Sequence, residues 1–169
     1  MTTAFIAVVR AKTPADSPVL LAAGATAVLS WAELAHCTEP DDVPAVLFDR
    51  SPVLPGESAD AALAAVLGAL TSVDPPARRT EDSPDVVIAT VRPVVDTLKW
   101  VDAAGIVTGT ASRDGHRFVD LPIAARLRVL RAVAHQLAEN TPDRLGPPPL
   151  TVLTALVSRG ATVFGAPSP

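Results

Sequence analysis

Asp49 is the carboxylate whose position along the chain best suits a functional role. It follows the apolar run 45–48 (AVLF), and α/β proteins place ligand-binding groups at the ends of such strands. Its side chain could hold a metal ion or accept a hydrogen bond from a substrate hydroxyl. One carboxylate without acidic neighbours is a poor Mg²⁺ site, however, and the alternative is an aspartate that caps a turn ahead of Arg50.

The cysteine and the histidines do not form a catalytic or metal-binding pattern. Cys37 follows His36, but neighbours in sequence rarely reach the geometry of a thiol–imidazole pair. His116 and His135 are not at ligand spacing from the cysteine or from each other, so no metal site is predicted. A single cysteine cannot form an internal disulfide, which fits a reducing compartment and favours the cytoplasm.

The composition argues against two classes of partner. A chain of 169 residues with 49% apolar side chains can form one domain with a sizeable core. A net charge of -4, four Phe, two Trp and no Tyr give no basis for nucleic-acid binding. The start of the chain lacks a basic leader, and the apolar stretch 17–32 is short and interrupted, so we expect no membrane partner.

Apolar runs alternate with helix signals along the chain, which predicts an α/β fold with a largely parallel, covered sheet. The capping-box spacing of Ser30 and Glu33 predicts a helix that begins at Trp31, and Pro122 suits the first turn of a later helix. Further helices are predicted over 58–70 and 150–158. Strands are predicted over 4–9, 45–48, 85–91, 106–110, 116–119 and 161–164.

The remaining segments are predicted to be turns, loops and solvated surface. Turn signals at 102–105 and 113–115 make the passage around them one or two long hairpins. The segment 12–18 is predicted to be a loop and 74–84 an exposed linker. Five arginines are expected on solvated faces: Arg78, Arg79, Arg126, Arg128 and Arg131.

The run Pro93–Lys99 (PVVDTLK) is the most specific pattern in the chain. Together with 107–113 (VTGTASR), it resembles the arm of the methylerythritol phosphate cytidylyltransferases, enzymes of isoprenoid biosynthesis. That family has a P-V-x-D-T-x-K motif followed by D-R-x-x-L-W. Ser112 stands where the family has Asp, and Arg117 or its neighbour stands where it has Trp. Weaker similarity covers the first strand, residues 45–55 and residues 160–166.

The resemblance implies a shortened nucleotidyltransferase-like, Rossmann-like fold: one domain over 1–169, with a three-layer sheet and a projecting β-arm at about 93–120. In the family, two arms embrace around a twofold axis and bind substrate phosphate across it. The resemblance therefore makes Thr97, Arg113 and Asp49 candidates for a residual substrate site. It also implies a homodimer through the arm, with Val94, Leu98, Trp100, Val101, Ile106, Val107 and Phe118 in the interface.

The departures from the family fall in the nucleotide-binding parts. The family's first loop is A-A-G-x-G-x-R, whose glycines let backbone N–H groups approach the triphosphate, whereas residues 10–18 contain no glycine. The later string 22–24 (AAG) is better interpreted as a turn. Ser17 and Pro18 replace the family's P-K lysine, which leaves Arg10 and Lys12 as weak nucleotide-side candidates. A base-binding G-G-x-x-R-x-x-S-V motif is also missing.

These departures favour a catalytically degenerate cytidylyltransferase-like protein that acts as a binding or assembly partner, with no confident catalytic residue and no cofactor. A heterodimer with an active cytidylyltransferase is a variant of the same hypothesis. One alternative is a divergent nucleotidyltransferase that transfers CMP from CTP to a polyol phosphate with Mg²⁺. A second alternative is a non-catalytic sensor of a small phosphorylated ligand.

Overall fold

A computed structural model describes residues 4–10, 16–48, 59–75, 83–138 and 146–167. The helices among them are α1 (Asp16–Ala22), α2 (Trp31–Leu34), α3 (Ala59–Val73), α4 (Leu127–Ala138) and α5 (Pro149–Ser158). The strands are β1 (Phe5–Val9), β2 (Ala25–Ser30), β3 (Pro44–Phe48), β4 (Val86–Pro93), β5 (Leu98–Val101), β6 (Val107–Ala111), β7 (Arg117–Arg126) and β8 (Thr162–Pro167). None of these helices is long and apolar enough to cross a membrane.

Six of the described strands form one sheet in the order β2-β1-β3-β7-β4-β8. The parallel pairs are β1 with β2, β1 with β3, and β4 with β8, whereas β7 runs antiparallel to both β3 and β4. The five strands other than β7 therefore point the same way, and their carboxyl ends meet at one edge of the sheet, called the carboxyl edge below. The α/β prediction is confirmed, with β7 as the antiparallel exception.

Helices cover both faces of the sheet and produce the three layers that the resemblance implies. Ile6 and Val8 of β1 belong to one buried cluster, which also contains side chains of α2, α4 and α5. Phe5 and Ala7 point to the opposite face and pack in a second cluster with α3. This alternation is what a strand buried on both faces requires, and it explains why β1 is apolar throughout.

The predicted helix start at Trp31 is confirmed by its capping box. The hydroxyl of Ser30 accepts a hydrogen bond from the backbone N–H of Glu33 at 3.2 Å, and the Glu33 carboxylate accepts one from the Ser30 N–H at 2.6 Å. The helix ends after one turn at Leu34. The preceding strand β2 was absent from the prediction, and α1 begins inside the segment 12–18 that was predicted to be a loop.

Pro122 lies in the middle of β7 and not in the first turn of a helix, so that prediction was wrong. The helix that follows, α4, begins at Leu127. A proline has no N–H for a central ladder, but the register between β4 and β7 shifts at this point. Thr90 pairs with Asp120, whereas the adjacent Ala89 pairs with Ile123, which leaves the proline in an irregularity.

Arg126 is buried, so the prediction that it is solvated was also wrong. Its guanidinium donates to the Asp74 carboxylate at 3.1 Å, to the Asp74 carbonyl at 2.5 Å and to the Asp42 carbonyl at 2.8 Å. Asp74 is only 5% exposed, although it was placed in an exposed linker. A buried charge needs this kind of pairing, and here it fastens the end of β7 to the end of α3.

The other arginines of this region are partly buried. Arg128 donates to the Asp85 carboxylate at 2.6 Å, and Arg131 pairs with the Asp41 carboxylate and with the carbonyl of Cys37. Both therefore fasten α4 to neighbouring loops. Arg78 and Arg79 lie outside the described residues.

Replacing Arg126 by Ala should destabilise the fold strongly, because it removes the cation from a buried ion pair. We expect a loss of about 3–5 kcal/mol in the free energy of unfolding, measured by urea denaturation. The matched control is Asp120→Ala, which removes the partner of Arg92 from an exposed pair at 2.6 Å and should lower stability by about 1 kcal/mol or less. Equal losses in the two variants would contradict the structural role given to Arg126.

Candidate functional site

The carboxyl edge brings together one ligand-binding candidate, Arg10, and the base of the arm. Arg10 directly follows β1, and Trp31 directly follows β2. The arm, defined here as residues 93–120, leaves the sheet at the end of β4 and returns through the start of β7. Because β7 is antiparallel to β4, both ends of the arm lie at the carboxyl edge. The topology therefore brings Arg10 and the base of the arm to the same side of the molecule.

The chain covers the end of β1 with its own backbone. The Arg10 guanidinium donates a hydrogen bond to the Gly146 carbonyl at 3.3 Å. Gly146 and Pro147 are both buried. A Cβ added at Gly146 would lie 3.0 Å from the Cβ of Trp31 and 3.3 Å from the Arg10 carbonyl oxygen. The lack of space for a Cβ is one reason for a glycine here, and the φ of +69° at Gly146 is a second.

Sequence reasoning did not identify this contact between Gly146 and Trp31. The signal available was a glycine ahead of three prolines, which predicts a break in the chain but not the residues against which it packs. Two other site candidates, Lys12 and Asp49, lie outside the described residues. Within the part of the chain that the structure describes, no group of three His, Cys, Asp or Glu side chains could hold a metal ion.

The outer part of the arm is a two-stranded hairpin formed by β5 and β6. Its tip is the predicted turn at 102–105. The Asp102 carboxylate accepts hydrogen bonds from the N–H groups of Ala104 and Ile106, both at 2.9 Å. Gly105 has a φ of +81°, and its N–H donates to the Asp102 carbonyl at 3.0 Å. The prediction of a turn here is confirmed.

The hairpin has an apolar face and a polar face. Trp100 lies opposite Gly109, and a Cβ on that glycine would be 3.5 Å from the indole, so the indole lies beside the glycine on one face. Lys99 lies opposite Thr110 and donates to its hydroxyl at 2.8 Å. Since successive side chains of a strand alternate between faces, this pair lies on the face opposite Trp100.

The arm exposes an unusual amount of apolar surface. Trp100 and Ile106 are each 62% exposed, which is high for side chains of this size. Val101, Val107 and Phe118, which were also predicted in an interface, are exposed as well. Two residues absent from that prediction, Val95 and Val119, extend the exposed set.

Two residues of the predicted interface differ from this pattern. Val94 is 7% exposed and is covered within the protomer, so its side chain has little apolar surface left to bury against a partner. Leu98 is half-buried. The prediction that Val94 contributes apolar surface to an interface is therefore corrected.

Arg113 and Thr97 belong to neighbouring passages of the arm. The Arg113 guanidinium donates to the carbonyl of Val95, two residues before Thr97. Arg113 and Thr97 are both exposed. The Ser112 hydroxyl donates a hydrogen bond to the Asp114 carboxylate at 3.2 Å. The N–H of His116 donates to the Arg113 carbonyl at 3.0 Å, which completes the predicted turn. The structure thus connects the Arg113 turn to the Pro93–Lys99 run.

Comparison with known proteins finds similarity to cytidylyltransferases. No family model matches the chain. A segment of 65 residues is 46% identical to the 2-C-methyl-D-erythritol 4-phosphate cytidylyltransferase of Nocardia farcinica. That match covers 36% of this chain and spans only 28% of the length of the relative.

Solved structures of cytidylyltransferases share the fold over nearly the whole chain. The enzyme from Thermus thermophilus has a TM-score of 0.62 and 15% identity, and the alignment covers 96% of this chain and 88% of that one. The enzyme from Francisella tularensis has a TM-score of 0.60 and 14% identity, with 99% and 91% covered. The bifunctional IspDF of Campylobacter jejuni has a TM-score of 0.63 and 9% identity, with 98% and 50% covered.

Replacing Gly146 by Ala should lower the free energy of unfolding more than the same substitution at a glycine that also has a positive φ but has open space around it. Gly160 is the control, because its φ is +85° but nothing lies within 4 Å of an added Cβ. We expect Gly160→Ala to lose about 1–2 kcal/mol from backbone strain alone. Gly146→Ala should lose about 1–3 kcal/mol more, because the methyl group presses on Trp31. Urea denaturation of both variants is the measurement, and equal midpoints would contradict the packing described here.

Proposed function

We propose that this chain, which is cytidylyltransferase-like in fold, is a catalytically degenerate protein that acts as a binding or assembly partner through its arm. The observation that carries the proposal is the apolar surface of the arm, with Trp100 and Ile106 each 62% exposed. A two-stranded hairpin is marginally stable by itself, so a surface of this kind favours a partner that covers it.

The nucleotide-binding side supports the degenerate assignment. Residues 10–18 contain no glycine, whereas the family's loop uses glycines to let backbone N–H groups approach a triphosphate. Ser17 and Pro18 take the place of a lysine that would offset phosphate charge. The Arg10 guanidinium donates to the Gly146 carbonyl, and an incoming anion would have to compete with that bond.

A second copy of this chain is the partner that the proposal favours. Most soluble oligomers are built from identical chains around a twofold axis, and the contact is then the same patch on both copies. Trp100 is the expected anchor, because a large aromatic side chain at the centre of an interface often dominates its energy. In a heterodimer with an active cytidylyltransferase, the variant of this proposal, Thr97 and Arg113 would complete the partner's phosphate site.

A divergent, active nucleotidyltransferase is the second candidate, and the sequence identity to the Nocardia enzyme favours it. Such an enzyme would transfer CMP from CTP to a polyol phosphate, with Thr97 and Arg113 binding the phosphate and Asp49 binding a hydroxyl or Mg²⁺. Among the described residues, no three His, Cys, Asp or Glu side chains are grouped so that they could hold a metal ion, and Mg²⁺ in proteins is bound through carboxylates, substrate phosphates and water. A non-catalytic sensor would use the same phosphate-binding residues without turnover.

The purified chain should not form a CDP-alcohol from CTP and methylerythritol phosphate in the presence of Mg²⁺. The reason is the combined replacement of the glycine loop, the lysine and the base-binding motif. Product is measured by chromatography against a mock purification. Turnover above that background, abolished in Asp49→Ala, would establish the second candidate and exclude the first.

The substitution Trp100→Asp should halve the mass of the assembly that the unmodified chain forms at micromolar concentration. Replacing the central aromatic side chain of an interface by a shorter, charged one removes about 2–4 kcal/mol of the free energy of binding, which weakens association by about 30- to 1,000-fold. Sedimentation velocity measures the mass. The control is Thr110→Asp, which places the same charge on the opposite face of the hairpin, beside Lys99, and should leave the assembly intact.

Two results would exclude the arm as the interface. One is a monomer at every concentration tested. The other is an assembly whose mass does not change when Trp100→Asp and Ile106→Asp are combined.

A further inference from the structure

The last strand, β8, forms an open edge of the sheet. In the described part of the chain it pairs with β4 on one side and with no strand on the other. Four consecutive residues, Thr162 to Gly165, are exposed, including Phe164 at 41%. The opposite edge strand, β2, exposes only Thr26. Residues 162–165 of β8 and its outer edge are therefore more accessible to a partner than β2 is.

The β8 edge lacks the features that usually prevent strand pairing. Edge strands in soluble proteins typically carry charged side chains, prolines or bulges. The sequence of β8 (TVFGAP) has no charge, and its only proline, Pro167, is the last residue. The register with β4 runs without a shift from Thr162 to that proline. An uncharged partner strand would therefore meet neither repulsion nor a break along residues 162–166.

The ladder with β4 determines which backbone groups of β8 point outward. The N–H of Thr162 donates to the Asp85 carbonyl at 2.8 Å, on the β4 side. Alternate residues of a strand direct their N–H and C=O groups to the same neighbour. The outward-facing residues with both groups are therefore Val163 and Gly165, because the next one along is a proline. These two lie on either side of Phe164.

We propose that β8 pairs antiparallel with β8 of a second copy, around a twofold axis that passes midway between the two copies of Phe164. In this register Val163 lies opposite Gly165 of the second copy, and the reverse pair follows from symmetry. The two pairs give about four backbone hydrogen bonds, and the two copies of Phe164 lie opposite each other with Cα atoms about 4.5 Å apart. Other antiparallel registers between two copies of β8 place Val163 or Gly165 opposite Pro167 or Ala161, so that at least one backbone group loses its partner: Pro167 has no N–H, and the Ala161 N–H already donates to the Leu156 carbonyl.

The contact is distinct from the arm and does not depend on the function proposed above. Pro167 pairs with Val91, so β8 runs beside the base of the arm, whereas Trp100 lies on the separate sheet formed by β5 and β6. Where their axes intersect at right angles, this twofold contact and the arm contact proposed above close into a dimer of dimers. Phe164→Asp and Trp100→Asp should each halve the mass of that assembly, and the combined variant should be a monomer.

Disulfide trapping tests the register directly. In a Cys37→Ser background, Phe164→Cys places two thiols at the axis, where paired Cβ atoms lie about 4.5–5.5 Å apart, close to the separation of about 4 Å in a disulfide. The control Thr162→Cys is also at an exposed position, but in this register its two thiols lie four residues apart along the strands, about 13 Å. After mild oxidation, non-reducing electrophoresis should show at least tenfold more covalent dimer for Phe164→Cys.

Each outcome decides the proposal. Preferential trapping at position 164, retained when Trp100→Asp is added, supports β8 pairing and separates it from the arm. Equal trapping at both positions, no trapping at either, or loss of the cross-link with Trp100→Asp overturns it. The mass measurement adds a second criterion: Phe164→Asp must lower the mass, whereas the control Thr162→Asp must not.

Discussion

The antiparallel insertion of β7 between β3 and β4 is the interaction on which the rest of the structure depends. Its ladder with β4 runs from Ala125 in the core to Arg117 at the base of the arm. One continuous strand therefore belongs to the core at one end and to the arm at the other. At its core end Arg126 is fixed by three hydrogen bonds, two of them to Asp74. The orientation of the arm is thus coupled to the stability of the core.

The base of the arm adds only weak side-chain contacts to that ladder. The Arg92 guanidinium lies over the Phe118 ring at 4.4 Å and donates to the Asp120 carboxylate at 2.6 Å. Exposed contacts of this kind contribute about 0.5–1 kcal/mol each. Beyond Arg117 the hairpin depends on its own pairing and on the Asp102 turn. A partner that buries Trp100 and Ile106 would therefore stabilise a hairpin whose strands, among the described residues, pair with each other and not with the six-stranded sheet.

Local patterns in the sequence predicted the elements whose cause is local. The capping box at Ser30, the turns at Gly105 and Gly115 and the buried strands β1 and β3 all follow from residue types and spacing. The arm was identified from the Pro93–Lys99 run by resemblance.

The sequence predicted the wrong structure where tertiary contacts decide the conformation or the burial of a residue. Pro122 has the chemistry of a helix start, but a shift in the register of β7 accommodates it. Arg126 was predicted to lie on the surface because no residue near it in the sequence indicates its partner, Asp74, which is 52 residues away.

The candidate site was the least predictable part for the same reason. Arg10 follows β1 as an ordinary cation, and only the folded chain brings the Gly146 carbonyl to it, 136 residues later. That hydrogen bond joins the end of β1 to the residue that packs on Trp31, so two segments far apart in the sequence meet at the carboxyl edge. Residue types do not predict such a contact, because neither Arg10 nor Gly146 carries a local signal that names its partner.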